Sequence, residues 1–214
     1  LPVLHSTDQS ISFTQVLTHT PKLIVMKKLA LVLTVFIASI IAANAQIQFG
    51  LKAGANFATL TNSTGGSTLI NFNAGALVKI PLTDALSVQP EIMFSGQGIK
   101  APDGKIKVNY INIPVLLTYT LPAGLFFQTG PQSGILLSAK AVPNEGDSED
   151  LKDYFKSTDF NWVFGTGYLI PDVNLGFNVR YNLGISSLGK YGGTSKNSVF
   201  QVGIFYLFGE GGKR

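Results

Sequence analysis

Apolar and polar residues alternate with period two along most of the chain beyond residue 46. In the first such segment Ile47, Phe49, Leu51, Ala53, Ala55 and Phe57 share one face, and Gln48, Gly50, Lys52, Gly54 and Asn56 share the other. In the seventh, Val173, Leu175, Phe177, Val179, Tyr181 and Leu183 oppose Asn174, Gly176, Asn178, Arg180, Asn182 and Gly184. The last puts Phe200, Val202, Ile204, Tyr206 and Phe208 on one side. Successive side chains of a strand point to opposite faces, so this pattern predicts two-sided strands. Eight segments fit: Ile47–Leu60, Leu69–Ile80, Leu86–Gln97, Ile106–Thr120, Leu125–Lys140, Asp159–Ile170, Val173–Gly184 and Asn197–Phe208. Each reaches the ~9–11 residues that a tilted strand needs to cross a bilayer. No helical periodicity of comparable length competes with them.

The connections alternate in length. Pro81–Ala85, Leu121–Gly124 and Pro171–Asp172 predict short turns, whereas Thr61–Thr68, Gly98–Lys105, Ala141–Thr158 and Ile185–Lys196 predict longer loops rich in Gly, Ser, Asn, Asp and Lys. An even-stranded meander with short turns at one end and long loops at the other describes an outer-membrane barrel.

Alternation alone leaves open which face is outside. A soluble eight-stranded carrier would turn its apolar face inward around a ligand. Here that face holds Phe49, Phe57, Phe72, Phe94, Trp162, Tyr206 and other rings, which would overfill so narrow an interior. The opposite face is made of Gly50, Gly54, Gly75, Gly130, Gly134, Gly165, Gly167, Gly176 and Gly203 among Asn, Gln and Ser, which suits a crowded lumen. The expected fold is therefore all-β: an eight-stranded antiparallel up-and-down transmembrane β-barrel with lipid outside and polar residues inside.

A different pattern precedes the strands. Met26 is followed by Lys27 and Lys28, then by the 14-residue apolar run Leu29–Ala42, then by Ala43-Asn44-Ala45 and Gln46. At ~1.5 Å rise, such a run spans ~21 Å of a ~30 Å hydrocarbon core, too short for a membrane helix. The arrangement is that of a cleaved secretory signal peptide over 26–45, with Ala43, Ala45 and Gln46 around the cut. Residues 1–25 then read as an over-extended gene start, the competing reading being a short cytoplasmic arm, and 46–214 as the barrel domain.

Composition narrows the chemistry. The chain is 45% hydrophobic and 13% charged, about half the charge of a soluble globular protein. It has no cysteine, and both histidines, His5 and His19, precede residue 46, so the exported part can assemble neither a thiolate site nor a Ser-His arrangement. Removing Asp8, Lys22, Lys27 and Lys28 leaves 13 basic and 11 acidic residues with no cluster suited to nucleic acid. The loop Glu145–Asp153 holds five acids but lacks the ordered ligand spacing of a calcium loop, so it reads as a solvated loop. Leu151, Tyr154 and Phe155, spaced i, i+3, i+4, predict one helical turn over the rim. Neither a catalytic residue nor a cofactor or metal site is expected.

Lys52, Lys79, Glu91 and Arg180 share the inward face. An unpaired charge in a narrow barrel is costly, so Glu91 is expected to pair with Arg180 or Lys52, either as part of a packed polar plug or as a gate across a narrow pore. Lys100, Lys105, Lys107, Lys190 and Lys196 lie in or beside the long loops, solvated or placed to meet lipopolysaccharide phosphates.

The phrases Phe49–Phe57 (FGLKAGANF), Gln89-Pro-Glu-Ile92, Tyr110-Ile-Asn-Ile-Pro114 and Arg180–Ile185 (RYNLGI), in that order, resemble those of the outer-membrane β-barrel family called PorT-like or porin family in Bacteroidota. The resemblance covers nearly all of 46–208 and implies fold and place more than activity. Gln201, Gly203, Tyr206 and Phe208 resemble the C-terminal signal read by the barrel-assembly machinery, although Gly209–Arg214 follow where that signal usually ends a chain. Three readings follow. The first is a non-enzymatic integral outer-membrane protein with a structural or partner-binding role, in envelope transport or secretion. The second is a narrow channel for ions or very small solutes, and the third a soluble carrier.

Overall fold

The computed structural model describes residues 47–61, 66–191 and 194–209. The expected leader and its cleavage residues Ala43, Ala45 and Gln46 lie outside these, as do residues 1–25 and Glu210–Arg214. The strands are β1 (Gln48–Leu60), β2 (Ser67–Pro81), β3 (Leu86–Ala101), β4 (Gly104–Thr120), β5 (Leu125–Pro143), a two-residue β6 (Glu149–Asp150), β7 (Thr158–Ile170), β8 (Leu175–Gly184) and β9 (Asn197–Phe208). Every pairing is antiparallel, the eight long strands pair in chain order, and β9 returns to β1 in continuous register from Phe49 opposite Phe208 to Leu60 opposite Asn197. With β4 also paired to β5, the eight long strands form a closed ring, and β6 merely edges the far end of β5. Closure satisfies the backbone of every strand within the sheet, the condition for spanning lipid.

The predicted sidedness holds. Phe49, Phe72, Phe127, Phe164, Phe177, Tyr206 and Phe208 project outward, Phe49 and Phe72 being 62% and 57% exposed. Asn56, Asn73, Ser95, Gln97, Gln128 and Asn178 point inward and are buried. Rings outside and amides inside are the reverse of a soluble barrel, and they match a wall facing acyl chains.

Three expectations need correction. Gly98–Lys105 is not a long loop: β3 and β4 continue until only Pro102 and Asp103 are left to turn, with Ile99 opposite Ile106. Gly98, at φ +132°, carries β3 through a conformation that a side chain would oppose, so the glycine that suggested a break permits continuation. The seventh predicted segment starts two residues late, at Leu175, because Asn174 adopts φ +53° and ends the turn; Asn is among the few residues that tolerate it. Finally, the interior is not polar throughout. Leu77, Phe126, Phe205 and Leu207 form a buried cluster nearer the short turns, and Val108, Tyr110, Leu136, Ala139 and Leu188 form another nearer the long loops.

Candidate functional site: the barrel lumen

Near the short-turn end, Phe126 and Phe205 meet edge to face, ring centroids 5.8 Å apart, with Leu77 and Leu207 beside them and Leu169 packed against the group. A Cβ at Gly176 would overlap the Phe205 ring, so the missing side chain there is what lets the phenyl lie across the lumen.

Above this closure lies the charged layer. Arg180 on β8 grips Glu91 on β3 with both terminal nitrogens, Nη1 donating to Oε2 at 2.7 Å and Nη2 to Oε1 at 2.6 Å. Lys52 Nζ on β1 stands 4.0 Å from Oε2. Gln89 Nε2 donates to Glu91 Oε1 at 2.6 Å, and Arg180 Nε donates to Gln128 Oε1. Asn178, with its amide oxygen turned toward the cations, accepts from Lys52 Nζ at 3.1 Å and from Arg180 Nε at 3.3 Å. All three charged residues are only 4–5% exposed. One carboxylate between two cations leaves a formal charge of +1 in this layer, which bidentate geometry and neutral acceptors offset. Of the four lumen charges expected from sequence, the structure thus brings together three. Lys79 sits on β2 opposite Gln48, half-buried near the short turns.

An amide layer follows. Asn56 Nδ2 donates to Ser95 Oγ at 2.9 Å and Gly96 O at 2.7 Å, while Asn56 Oδ1 accepts from Asn73 Nδ2 at 2.6 Å and Gln201 Nε2 at 2.8 Å. Beyond it stands a buried carboxylate that sequence reasoning missed. Asp159 on β7 accepts from Asn161 Nδ2 at 3.0 Å, Asn197 Nδ2 at 2.7 Å and Ser186 Oγ at 2.7 Å. The signal was present, since Asp159 opens the predicted strand Asp159–Ile170 and shares the inward alternation of Asn161, yet it is not among the lumen charges expected from sequence.

The long-loop end is closed by a lid. A single 3-10 turn, Lys152–Tyr154, stands where the i, i+3, i+4 spacing placed one. Leu151 and Phe155 pack on the cluster of Val108, Tyr110, Ala139 and Leu188. Two backbone bonds, Lys156 N to Leu188 O at 2.8 Å and Lys190 N to Tyr154 O at 3.0 Å, join the β5–β7 loop to the β8–β9 loop. The acids of Glu145–Asp153 remain at the surface, Glu149 and Asp150 being spent on β6, and among the described residues no three His, Cys, Asp or Glu side chains converge. On β9, Gln201 and Gly203 face inward, and Tyr206 and Phe208 face outward in edge contact at 5.1 Å.

Comparison with known proteins adds a family. The family described as "Outer membrane protein beta-barrel domain" matches residues 42–189. Among solved structures, Neisserial surface protein A (NspA) superposes with a TM-score of 0.52 at 15% identity, covering 75% of this chain and 97% of that one. The attachment invasion locus protein Ail of Yersinia pestis gives 0.45 at 14% identity, covering 76% and 97%. No curated protein matches the sequence.

Proposed function

Since the chain belongs to the outer membrane protein beta-barrel domain family and is integral to the outer membrane, we infer that it works as a closed, non-enzymatic barrel whose wall and long-loop end, not its lumen, carry the function. One observation carries this reading: the lumen is blocked three times in series. Phe126 and Phe205 close one end, the Lys52–Glu91–Arg180 layer spans the middle, and the Leu151–Phe155 lid closes the other. An eight-stranded ring leaves an interior that side chains alone can fill.

In this reading the leader at 26–45 delivers the chain to the periplasm, and β9 is read by the barrel-assembly machinery through Gln201, Gly203, Tyr206 and Phe208. The long-loop end then meets lipopolysaccharide and an envelope partner. The four phrases, which resemble those of PorT-like proteins of Bacteroidota, make envelope transport or secretion the setting in which that partner is to be sought. Single-channel recording tests the closed state. The purified barrel in a planar bilayer is expected to show no discrete conductance, and stable steps at moderate voltage would overturn the reading. Those steps would instead favour the narrow channel, for which one feature speaks: Gln97 Oε1 and both amide atoms of Asn182 are buried without a protein partner, as atoms along a hydrated path would be. In the channel case Glu91→Gln would change the step size.

A further inference from the structure

The strands β3, β4 and β5 run to 16, 17 and 19 residues, against 10–15 for the other five of the ring, and stand beyond them as a flap at the long-loop end. The inner face of the flap is apolar and buried, with Ile99, Val108 and Ala139. Alternation therefore turns Lys100, Lys105, Lys107 and Lys140 to the outer face. The register then sets like charges against each other. Lys100 lies opposite Lys105 across β3–β4, and Lys107 lies opposite Lys140 across β4–β5.

Like charges placed directly opposite one another destabilise a strand pair. Two such pairs side by side need an anion, and this chain offers little. The ion pairs Lys52–Glu91 and Arg180–Glu91 lie in the lumen, away from the flap. Asp103 stands at the hairpin tip, and Asp150 lies directly opposite Lys140 across β5–β6, one acid for four lysines within the ladder. Asp150 Oδ1 already accepts from the Lys152 backbone N–H at 2.8 Å.

Height selects the counter-ion. The outward positions of β4 run from Ile111 in the apolar wall through Asn109 to Lys107 and Lys105. Four residues from Ile111 to Lys107 are about 13 Å along a strand, or about 10 Å of height at a tilt of ~40°. The polar layer of each leaflet is about 6 Å thick, and a lysine stem bent back toward the bilayer sets its ammonium within it. A compact ammonium suits phosphate as a point charge.

We propose that the outer face of the β3–β5 flap binds the phosphorylated head group of an outer-leaflet glycolipid, its phosphates lying between Lys100 and Lys105 and between Lys107 and Lys140. This rests on the reading that the long-loop end meets lipopolysaccharide, and it names the site. It also adds Lys140, which the sequence had not grouped with the others, and sets Lys190 and Lys196 aside.

The test is native mass spectrometry of the exported chain, purified in neutral detergent and titrated with bisphosphorylated lipid A, with its dephosphorylated form, and with inorganic phosphate as competitor. Wild type is expected to retain the bisphosphorylated lipid selectively, with inorganic phosphate displacing little. Each Lys→Gln change is expected to weaken retention about fivefold, since a basic residue near an anionic surface contributes about one such factor. Lys107→Gln without lipid should melt at the same temperature as wild type or higher, because it removes a repulsion, and this separates a lost ligand site from a lost fold. No retention by wild type would refute the lipopolysaccharide reading itself. Equal retention by wild type and K100Q/K105Q/K107Q/K140Q would refute the site alone. Equal binding of the dephosphorylated lipid, or full displacement by inorganic phosphate, would also overturn the site as a head-group site.

Discussion

Glu91 holds the charged layer together, because both cations of that layer lean on one carboxylate. Removing one partner of a buried ion pair strands the other, at a cost of about 3–5 kcal/mol. Glu91→Gln strands two cations at once and is expected to fall in that range, read as a lower urea midpoint for the barrel in lipid vesicles. Arg180→Lys should cost less but not nothing, because an ammonium cannot grip both carboxylate oxygens. Pairing of this kind was readable from alternation alone, since it put all three residues on one face. That Lys79 would sit apart was not, because height in the lumen depends on strand tilt and register. Gly176 makes the complementary case. Gly176→Val would drive a branched side chain into Phe205 and cost about 1–3 kcal/mol by overpacking. Adding Phe205→Ala should recover part of that loss, and unfolding of the double variant checks it.

Among the elements, the lid formed by the β5–β7 and β8–β9 loops is held by three apolar side chains, Leu151, Phe155 and Leu188, and a few backbone bonds. Few buried contacts make a region of low local stability. Phe155→Ser is therefore expected to speed hydrogen exchange at the Lys156 and Lys190 amides and to open the loop to protease, while strands β7–β9 stay protected. Protection lost across all strands would instead mean that the lid holds up the whole barrel. The spacing of Leu151, Tyr154 and Phe155 announced the helical turn, but only the fold showed what lies beneath it. The β3–β4 hairpin teaches the opposite lesson. Gly98, Pro102, Asp103 and Gly104 look like loop, yet Ile99 and Ile106 face each other across a continuing ladder. Turn-forming residues mark where a chain is able to bend, and the neighbouring strand decides whether it does.

For the molecule as a whole, the seam between β1 and β9 closes the ring and joins residues far apart in sequence. Phe208 sits at the short-turn end of that seam opposite Phe49. If assembly machinery reads β9 as proposed, Phe208→Ala should lower the amount of barrel in the outer membrane yet leave unaided refolding into detergent unchanged, as heat-modifiable gel mobility will show. An equal loss in both settings would make Phe208 a packing residue only.

By itself the sequence determined the period-two alternation, and through it the strand count, the lipid-facing side and the membrane setting, because side-chain direction in a strand is local and ring volume leaves one way to close eight strands. Tertiary structure decided what fills the barrel. Leu77, Phe126, Phe205 and Leu207 sit beside outward apolar neighbours, so in sequence they blur into apolar runs such as Phe205–Phe208. Whether they block the lumen depends on strands from opposite sides arriving at the same height. The same holds for the four flap lysines, which become opposed pairs only once register is fixed.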